Sequence, residues 1–324
     1  METMEASDVL VVGAGISGLL CATELQRAGR SVIVLDKGRG PGGRMATRRM
    51  GGGRIDHGAQ YFTAREDRFK AYVASWLDAG ILREWFRHAD GDQAPGGHPR
   101  YCGVSGMSDV AKHLAKGLQV RLSEQVVSLA WENGQWVVGS ESGSIFTAEH
   151  LVMTAPLPQS LNLLDATGLD YAGKQRTALG AVRYEKGLAL LAVLDGPGGL
   201  SEPGGMKVDA APLTWIADNT AKGISPEAFT LTLHADAAFA AAQWDAADAV
   251  RGPLMLEAAA PFLRANVLEY NCHRWGFTLP VNPWPEPCFT VPSLNLTLAG
   301  DAFGGARVEG AALSGLAAAS VLTA

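Results

Sequence analysis

Four runs of the chain combine residue types that can hold a dinucleotide and a flat ring. The first is Gly13-Ala14-Gly15-Ile16-Ser17-Gly18. At this spacing the first glycine permits a tight turn, the second lets backbone approach a pyrophosphate, and the third lets a helix lie close on a strand. Bare N–H groups and the positive end of the helix then face a dianion. Asp36 closes the next apolar run, where a carboxylate accepts from a ribose hydroxyl and disfavours a 2′-phosphate. The second run is Arg39 to Arg49, RGPGGRMATRR. Arg44, beside Gly42-Gly43, can reach a phosphate or a ring edge, whereas Arg48 and Arg49 read as solvated. The third is Asp56-His57-Gly58-Ala59-Gln60-Tyr61-Phe62, a polar, small and aromatic mixture in which Tyr61 offers a π-face and a hydroxyl. The same run equally suits a buried strand end. The fourth is Gly300-Asp301 followed by Arg307-Val308-Glu309-Gly310. It reads either as a plain turn or as a carboxylate for a ribose or ribityl hydroxyl, set before a helix whose positive end faces a ligand.

These runs need elements to position them. Asp8–Val12 is an apolar run of strand length, a helical pattern extends from near Ser17 to Ala28 and stops at Gly29, and Ser31–Asp36 is a second strand. Together they form a βαβ unit. Lys37 to Gly53 reads as a Gly/Arg loop. Phe69, Tyr72, Val73, Trp76 and Leu77 recur at helical spacing and predict an amphipathic helix over Asp67–Asp78. Asp90–Pro99 is a Gly/Pro loop, and Ser108 can cap a helix running through Lys116. Short strands follow at Val120–Leu122, Val126–Glu132, Gln135–Val138, Ser144–Thr147 and Leu151–Thr154, with Asn133-Gly134 as a hairpin signal. From about Leu157 the texture changes. Isolated strands (Leu188–Leu194, Leu213–Ala217, Phe229–His234) alternate with Pro/Gly loops and one Ala-rich helical stretch, Asp236–Arg264. Leu294–Leu298 and a helix over Arg307–Leu322 close the chain and belong with the first unit. The fold class expected is α/β: a discontinuous, Rossmann-like nucleotide-binding domain (1–65, 100–156 and 288–324) with a second, mixed α+β substrate domain (66–99 and 157–287).

Composition sets the outer bounds. The chain has 324 residues, 47% hydrophobic and 19% charged, which suits one or two folded domains and excludes a disordered tether. A net charge of −6 argues against nucleic acid or an anionic membrane as the main partner. Cys21, Cys102, Cys272 and Cys288 show no C-x-x-C spacing, so reduced thiols in a cytoplasm are expected, with no metal site. Met1–Ser7 lacks an apolar signal core. Gly310–Ala324 is uncharged but too short to span a bilayer.

Taken together and in this order, the runs resemble the flavin amine oxidase superfamily, and within it the bacterial renalases. The segments DKGRGPGGRMATRR, DHGAQYFTAR, GMSDVAKHL, MTAPLPQS, LHA, HRW and GDAFGGARVEGAALSG carry the resemblance almost end to end, GAQYFTAR being the most specific. It implies a noncovalent FAD, held by Gly13 to Gly18, Asp36, Lys37, Gly43, Arg44, Met45, Ala59, Gln60, Val126, Gly300, Asp301, Arg307, Val308 and Glu309. It implies a substrate side formed by His57, Gly58, Gln60, Tyr61, Arg100, Tyr101, Trp215, His234 and Trp275. The reaction implied is oxidation of dihydro-NAD(P) isomers reduced at the 2 or 6 position of the nicotinamide, with oxygen as the final acceptor and hydrogen peroxide as product. The sequence departs from the family at Ala302-Phe303, at Gly276 to Pro280 and at His57, positions that the resemblance assigns to the ring pocket.

Nothing in the sequence reads as a Ser–His–Asp order, an H-E-x-x-H or a carboxylate pair, and hydride transfer from a dihydropyridine needs no strong base. His234, His57, Trp215 and the His273/Trp275 pair can each be pocket wall or packing. An amine oxidase or desaturase is the alternative activity. It would call for a lysine near the ring, and Lys174, Lys186, Lys207 and Lys222 sit in no motif that points there. A carrier flavoprotein is the third reading.

Overall fold

The computed structural model describes residues 4–87 and 97–324. Met1–Thr3 and residues 88–96, which take in His88 and the Asp90–Pro99 loop as far as position 96, lie outside the described residues. In chain order the elements are β1 (Met4–Val12), α1 (Ile16–Arg27), β2 (Val32–Asp36), β3 (Thr47–Met50), β4 (Gly53–Asp56), α2 (Asp67–Asp78), β5 (Leu82–Phe86), β6 (Arg100–Gly103), α3 (Asp109–Ala115), β7 (Gln119–Leu122), β8 (Val126–Glu132), β9 (Gln135–Ser140) and β10 (Ile145–Met153). Then come α4 (Leu157–Asp165), α5 (Arg176–Gly180), β11 (Gly187–Leu194), β12 (Gly205–Ala210), β13 (Leu213–Asp218), β14 (Thr230–Ala235), α6 (Ala237–Ala242), α7 (Asp248–Ala259), β15 (Val267–Trp275), β16 (Phe289–Val291), β17 (Leu296–Leu298) and α8 (Arg307–Thr323).

The first sheet runs β16-β17-β10-β1-β2-β7, with the β8–β9 hairpin joined to β10. Strands β17, β10, β1, β2 and β7 are mutually parallel. Buried strands at the centre of a parallel sheet read as continuous apolar runs, and Val9 to Leu10 to Val11 are fully buried. Helix α1 crosses between β1 and β2, so the βαβ unit is as expected. Its close seat on β1 depends on Gly18, where a Cβ would lie 2.0 Å from the Gly13 carbonyl oxygen. Helix α8 lies against α1 with the same economy: a Cβ on Gly315 would be 2.0 Å from the Ser17 carbonyl. Two helices this close leave room only for small residues, which explains the Gly/Ala run of α8.

The second sheet is antiparallel, ordered β12-β13-β14-β11-β15. One face packs on α7, burying Leu190, Ile216, Leu231, Leu233 and Met255. The other face carries Ala189, Leu191, Trp215, Thr232, His234, His273 and Trp275, and the β3–β4 hairpin lies on it. The hairpin's backbone is held by threonines of β14: Thr230 Oγ1 donates to the Arg54 carbonyl at 2.9 Å and Thr232 Oγ1 to that of Asp56 at 2.8 Å. Central strand β11 is therefore buried on both faces, which is why GLALLAVL shows no alternation.

Several elements differ from expectation. The stretches Ser144–Thr147 and Leu151–Thr154 are one strand, β10, whose first half pairs with β9 and second half with β17; the polar Glu149-His150 interrupts the apolar run but not the backbone. The segment read as a loop to Gly53 contains β3 and the start of the hairpin to β4. The Ala-rich stretch is two helices, α6 and α7, joined by Gln243 to Ala247, with Asp236 capping α6 by accepting from the Phe239 amide. Ser108 precedes α3, but its hydroxyl makes no capping bond. Among the described residues no helix is long and apolar enough to cross a membrane.

Candidate functional site

The turn after β1 is shaped to accept a ligand. Gly13 has φ of +115°, which only glycine adopts without strain, and its amide donates to the Leu35 carbonyl. Gly15 occupies the N-cap of α1 with no side-chain cap, so the first-turn amides of α1 lack the usual capping partner. A Cβ on Gly15 would meet nothing within 4 Å, and the buried Ser17 hydroxyl has no partner. Open space, uncapped amides and an orphaned hydroxyl at a helix N-terminus fit a dinucleotide pyrophosphate. Asp36 braces this turn: Oδ2 accepts from the Ala14 amide and Oδ1 from the Gly38 amide, both at 2.6 Å. Lys37 beside it is exposed. Val126 starts β8 and is buried in the core cluster under the first sheet's other face.

The second glycine loop closes on the first. The Gly42 amide donates to the Ala14 carbonyl at 2.8 Å, and Gly43 comes to 3.7 Å, measured from its Cβ position to Gly15 Cα. Met45 is buried among the α1 and α3 side chains. Arg44 forms a two-armed ion pair with Asp301, one arm at 2.8 Å. Asp301 also accepts from the Tyr184 hydroxyl at 3.0 Å, and Arg44 donates to the Phe277 carbonyl at 3.2 Å. Burial works against the Arg44 charge, but Asp301 and Tyr184 together raise its pKa. The Arg44 carbonyl in turn receives the Ala59 amide, and a Cβ on Gly58 would sit 2.1 Å from it. Four runs far apart in sequence thus meet along one line: 13–18, 42–45, 57–60 and 300–301.

At α8, Arg307 has φ of +77°, a strained conformation for a side-chain-bearing residue, and it is exposed. Val308 is half-buried. Glu309 turns away from this line: its Oε1 accepts from the Arg65 and Glu66 amides at 2.6 and 2.8 Å, fixing the entry to α2. Gly300 (φ +121°) donates its amide to Ser314 Oγ of α8.

Segment 56–61 then lies against the free face of the second sheet. Trp215, His234, Ala189 and His273 occupy one register row across β13, β14, β11 and β15. The His57 ring stacks on Trp275 at 5.2 Å and stands edge-on to His273 at 4.8 Å, while Trp275 Nε1 donates to the His57 carbonyl at 2.9 Å. Tyr61 packs at 5.6 Å from both Trp215 and Phe86, and the Arg100 guanidinium lies 5.5 Å from its ring. Tyr101 holds the end of the segment through paired backbone bonds with Phe62. Burial pushes the pKa of both His57 and His234 down to about 4; for His57, the charges of His273 and Arg48 add to this. Both imidazoles are neutral at pH 7. Burial likewise raises the thiols of Cys21 to about 12 and Cys272 to about 11, so neither is a thiolate nucleophile.

One cluster escaped sequence reasoning. Lys222, in the turn after β13, pairs with Asp56 at 2.7 Å with neither side chain exposed. Lys222 Nζ also donates to the Gln60 carbonyl at 2.6 Å and lies 4.5 Å from the Trp85 ring. Asp56 Oδ1 accepts from Thr47 Oγ1 and the Met107 amide. Nothing in the run DNTAKG distinguishes this lysine from a solvated one; only the tertiary fold brings its partner to it. Among the described residues no group of His, Cys, Asp and Glu is placed to hold a metal.

These features define a Rossmann-type α/β fold accompanied by a second, antiparallel sheet. Residues 11–76 match the NAD(P)-binding Rossmann-like domain, and residues 82–323 match flavin containing amine oxidoreductase. The chain belongs to the flavin-containing amine oxidoreductase family. It is 31% identical to mouse (Mus musculus) renalase over 195 residues, 57% of this chain and 57% of that protein. It is also 38% identical to an L-amino acid dehydrogenase of Synechocystis sp. over 74 residues, 22% of this chain and 16% of that one. The matches thus span a little over half of the renalase and a small part of the dehydrogenase. Among solved structures, a putative protoporphyrinogen oxidase from Exiguobacterium sp. 255-15 superposes with a TM-score of 0.72 at 12% identity, covering 100% of this chain and 99% of that one. Putrescine oxidase bound to putrescine gives 0.71 at 16%, covering 99% and 100%. At these identities the likeness shows the fold alone.

Proposed function

We propose that the protein is an FAD-dependent oxidase of dihydronicotinamide dinucleotide isomers, those reduced at the 2 or 6 position, with oxygen as electron acceptor. The observation that carries this reading is the renalase match together with the aromatic and neutral-imidazole layer facing segment 56–61. The residues assigned to FAD are Gly13 to Gly18 and Asp36 for the adenosine and pyrophosphate, with Lys37, Gly43 to Met45, Ala59, Gln60, Val126, Gly300-Asp301 and the start of α8 along the rest of the cofactor. When bound, the flavin supplies a hydride acceptor and a two-electron route to oxygen that yields hydrogen peroxide.

The chain's own residues have three tasks. The turn amides of 13–18 and the N-terminus of α1 neutralise the pyrophosphate. Arg44 and Asp301, braced by Tyr184, fix the second loop against the cofactor. His57, Tyr61, Trp215, His234 and Trp275, with Arg100 and Tyr101 behind Tyr61, orient a flat substrate ring and exclude water. No proton need be moved, because the donor becomes an aromatic pyridinium as it loses hydride, and neutral His57 and His234 agree with that. The amine oxidase or desaturase reading draws no support from the lysines. Lys174, Lys186 and Lys207 are exposed, and the Lys222 amine is committed to Asp56 and Gln60.

The test is anaerobic mixing of the holoenzyme with 2-, 4- and 6-dihydro-NAD. Rapid bleaching of the flavin band by the 2- or 6-isomer, followed by peroxide on admission of air, is the expected result. Absence of bleaching by all three overturns the reading.

A further inference from the structure

On the face of the β3–β4 hairpin away from Ile55, Arg49 and Arg54 stand directly opposite each other. Residues paired in this way share one face, and like charges placed so repel. Arg44, Arg121, Arg176 and Arg251 each grip a carboxylate. Among the described residues, the Arg49 and Arg54 side chains make no hydrogen bond or ion pair. Both line one cleft of about 210 Å³, which the hairpin shares with Ser225 and Glu227 of the loop joining β13 to β14. The backbone beneath Arg54 is fixed: its amide donates to Ser225 Oγ at 3.1 Å, and its carbonyl accepts from Thr230 Oγ1 at 2.9 Å. Ser225 Oγ gives its own proton to the Ala228 carbonyl at 2.6 Å, so it shapes the floor and has no donor to spare. At the tip of the hairpin, a Cβ on Gly52 would meet nothing within 4 Å. Glu227 is an exposed carboxylate of the lining and pairs with neither arginine. Asp109, whose carboxyl also feels the Arg54 charge, is held by the Ser105 amide at 2.6 Å.

We propose that Arg49 and Arg54 bind the phosphate of a phosphate monoester in this cleft. Charge selects that class. A phosphate monoester carries about −1.5 to −2 at pH 7 and offers three acceptor oxygens, enough for two guanidinium forks. A carboxylate, with one charge and two oxygens, is satisfied by a single fork. Size agrees. The cleft holds about seven waters at ~30 Å³ each, less than the roughly 300–1,000 Å³ of pockets that enclose a whole ligand. It therefore takes the phosphate and leaves the rest of the molecule in solvent. The dianion also cancels the repulsion between the two arginines. Two carriers present this chemistry. One is a small phosphorylated compound unrelated to the reaction. The other is a dinucleotide with a 2′-phosphate, since β4 leads from Arg54 to His57 over about 10 Å. The site does not rest on the proposed reaction.

The test uses the flavin-loaded protein, so that the pyrophosphate turn after β1 is already filled. Inorganic phosphate is titrated calorimetrically at constant ionic strength, with chloride as the balancing anion. Saturable binding is expected. Arg49→Gln and Arg54→Gln are each expected to weaken it about tenfold or more, the worth of one charge-assisted hydrogen bond, with flavin content at the wild-type level. Glu227→Gln removes a like charge beside the ligand and is expected to tighten binding. Titration with NAD+ and NADP+ then separates the carriers. A preference for NADP+ that Arg54→Gln abolishes puts the phosphate on the dinucleotide. Equal binding of the two, with inorganic phosphate still bound, puts it on a separate compound. Arg49 is exposed, so Arg49→Gln keeps the test open should Arg54→Gln fail to fold. A wild type that neither binds phosphate saturably nor prefers NADP+, or folded arginine variants that match wild type in both titrations, overturns the proposal. Failure of the proposed reaction looks different: no dihydro isomer bleaches the flavin, whatever the phosphate affinity.

Discussion

Gly15 and Gly18 stand three residues apart in one turn, yet a methyl group has opposite consequences at the two. At Gly18 it would enter the van der Waals shell of the Gly13 carbonyl, 2.0 Å away, and α1 would have to lift off β1. Overpacking of this kind costs about 1–3 kcal/mol, so Gly18→Ala is expected to lower the thermal midpoint of the apoprotein. At Gly15 the backbone is ordinary (φ −78°, ψ 178°) and the Cβ position is empty. The apoprotein of Gly15→Ala is expected to unfold within about 1 kcal/mol of wild type, the scale of an N-cap change, yet to be purified with little flavin because its methyl fills the ligand's place. Thermal scans of apoprotein beside flavin-to-protein absorbance ratios decide the matter. A fully loaded Gly15→Ala would remove the cofactor from this turn.

At the scale of elements, the Lys222–Asp56 pair clamps the turn after β13 to the end of β4. Removing one partner of a buried pair strands the other's charge and costs about 3–5 kcal/mol. Lys222→Met is expected to lose stability on that scale in urea titrations, and Lys222→Met/Asp56→Asn to recover part of it. A Lys222→Met within about 1 kcal/mol of wild type would show that the pair does not hold the hairpin to the second sheet. This clamp also shows where legibility in the sequence ends. Helix α2 was readable because Phe69, Tyr72, Val73, Trp76 and Leu77 pack one stripe onto the core, and β1-α1-β2 because local runs encode it. The β3–β4 hairpin is not readable, since its two apolar residues, Met50 and Ile55, form no alternating run, and its backbone is held through carbonyls to Thr230 and Thr232. Lys222 was not readable because its partner lies 166 residues away. The same holds for Arg44 and Asp301. Each was picked out from its own motif, but their ion pair, 257 residues apart in sequence, is visible only in the fold. Glu309 marks the opposite case, a motif residue whose carboxylate is spent on the start of α2.

For the molecule as a whole, buried imidazoles make folding sensitive to acid. His57 and His234, in the layer on the second sheet, and His150, on β10 of the first, are each held at a pKa of about 4, chiefly by burial, against 6.5 for a free imidazole. Around His57 stand His273, Arg48 and His234, which oppose its protonation, and Asp56, which favours it; around His234 stands the Lys222 charge. A depressed histidine pKa means that the unfolded chain binds the proton first. The folded form is then undisturbed above pH 6.5 and loses stability as the pH falls from 6.5 to 4, after which this contribution levels off. Urea midpoints measured from pH 7.5 to 4 should therefore drop steadily through that window. His234→Gln, which cannot titrate, should flatten the drop relative to wild type even if its midpoint at pH 7.5 is lower. The carboxylates paired with cations add their own acid sensitivity only further down, because Glu5, Asp165 and Asp248 have pKa values below the usual carboxylate range. A wild-type profile flat between pH 6.5 and 5, or a His234→Gln profile parallel to wild type, would mean that these imidazoles are reached by water, and that the layer assigned to the substrate is not the dry, closed space its geometry describes.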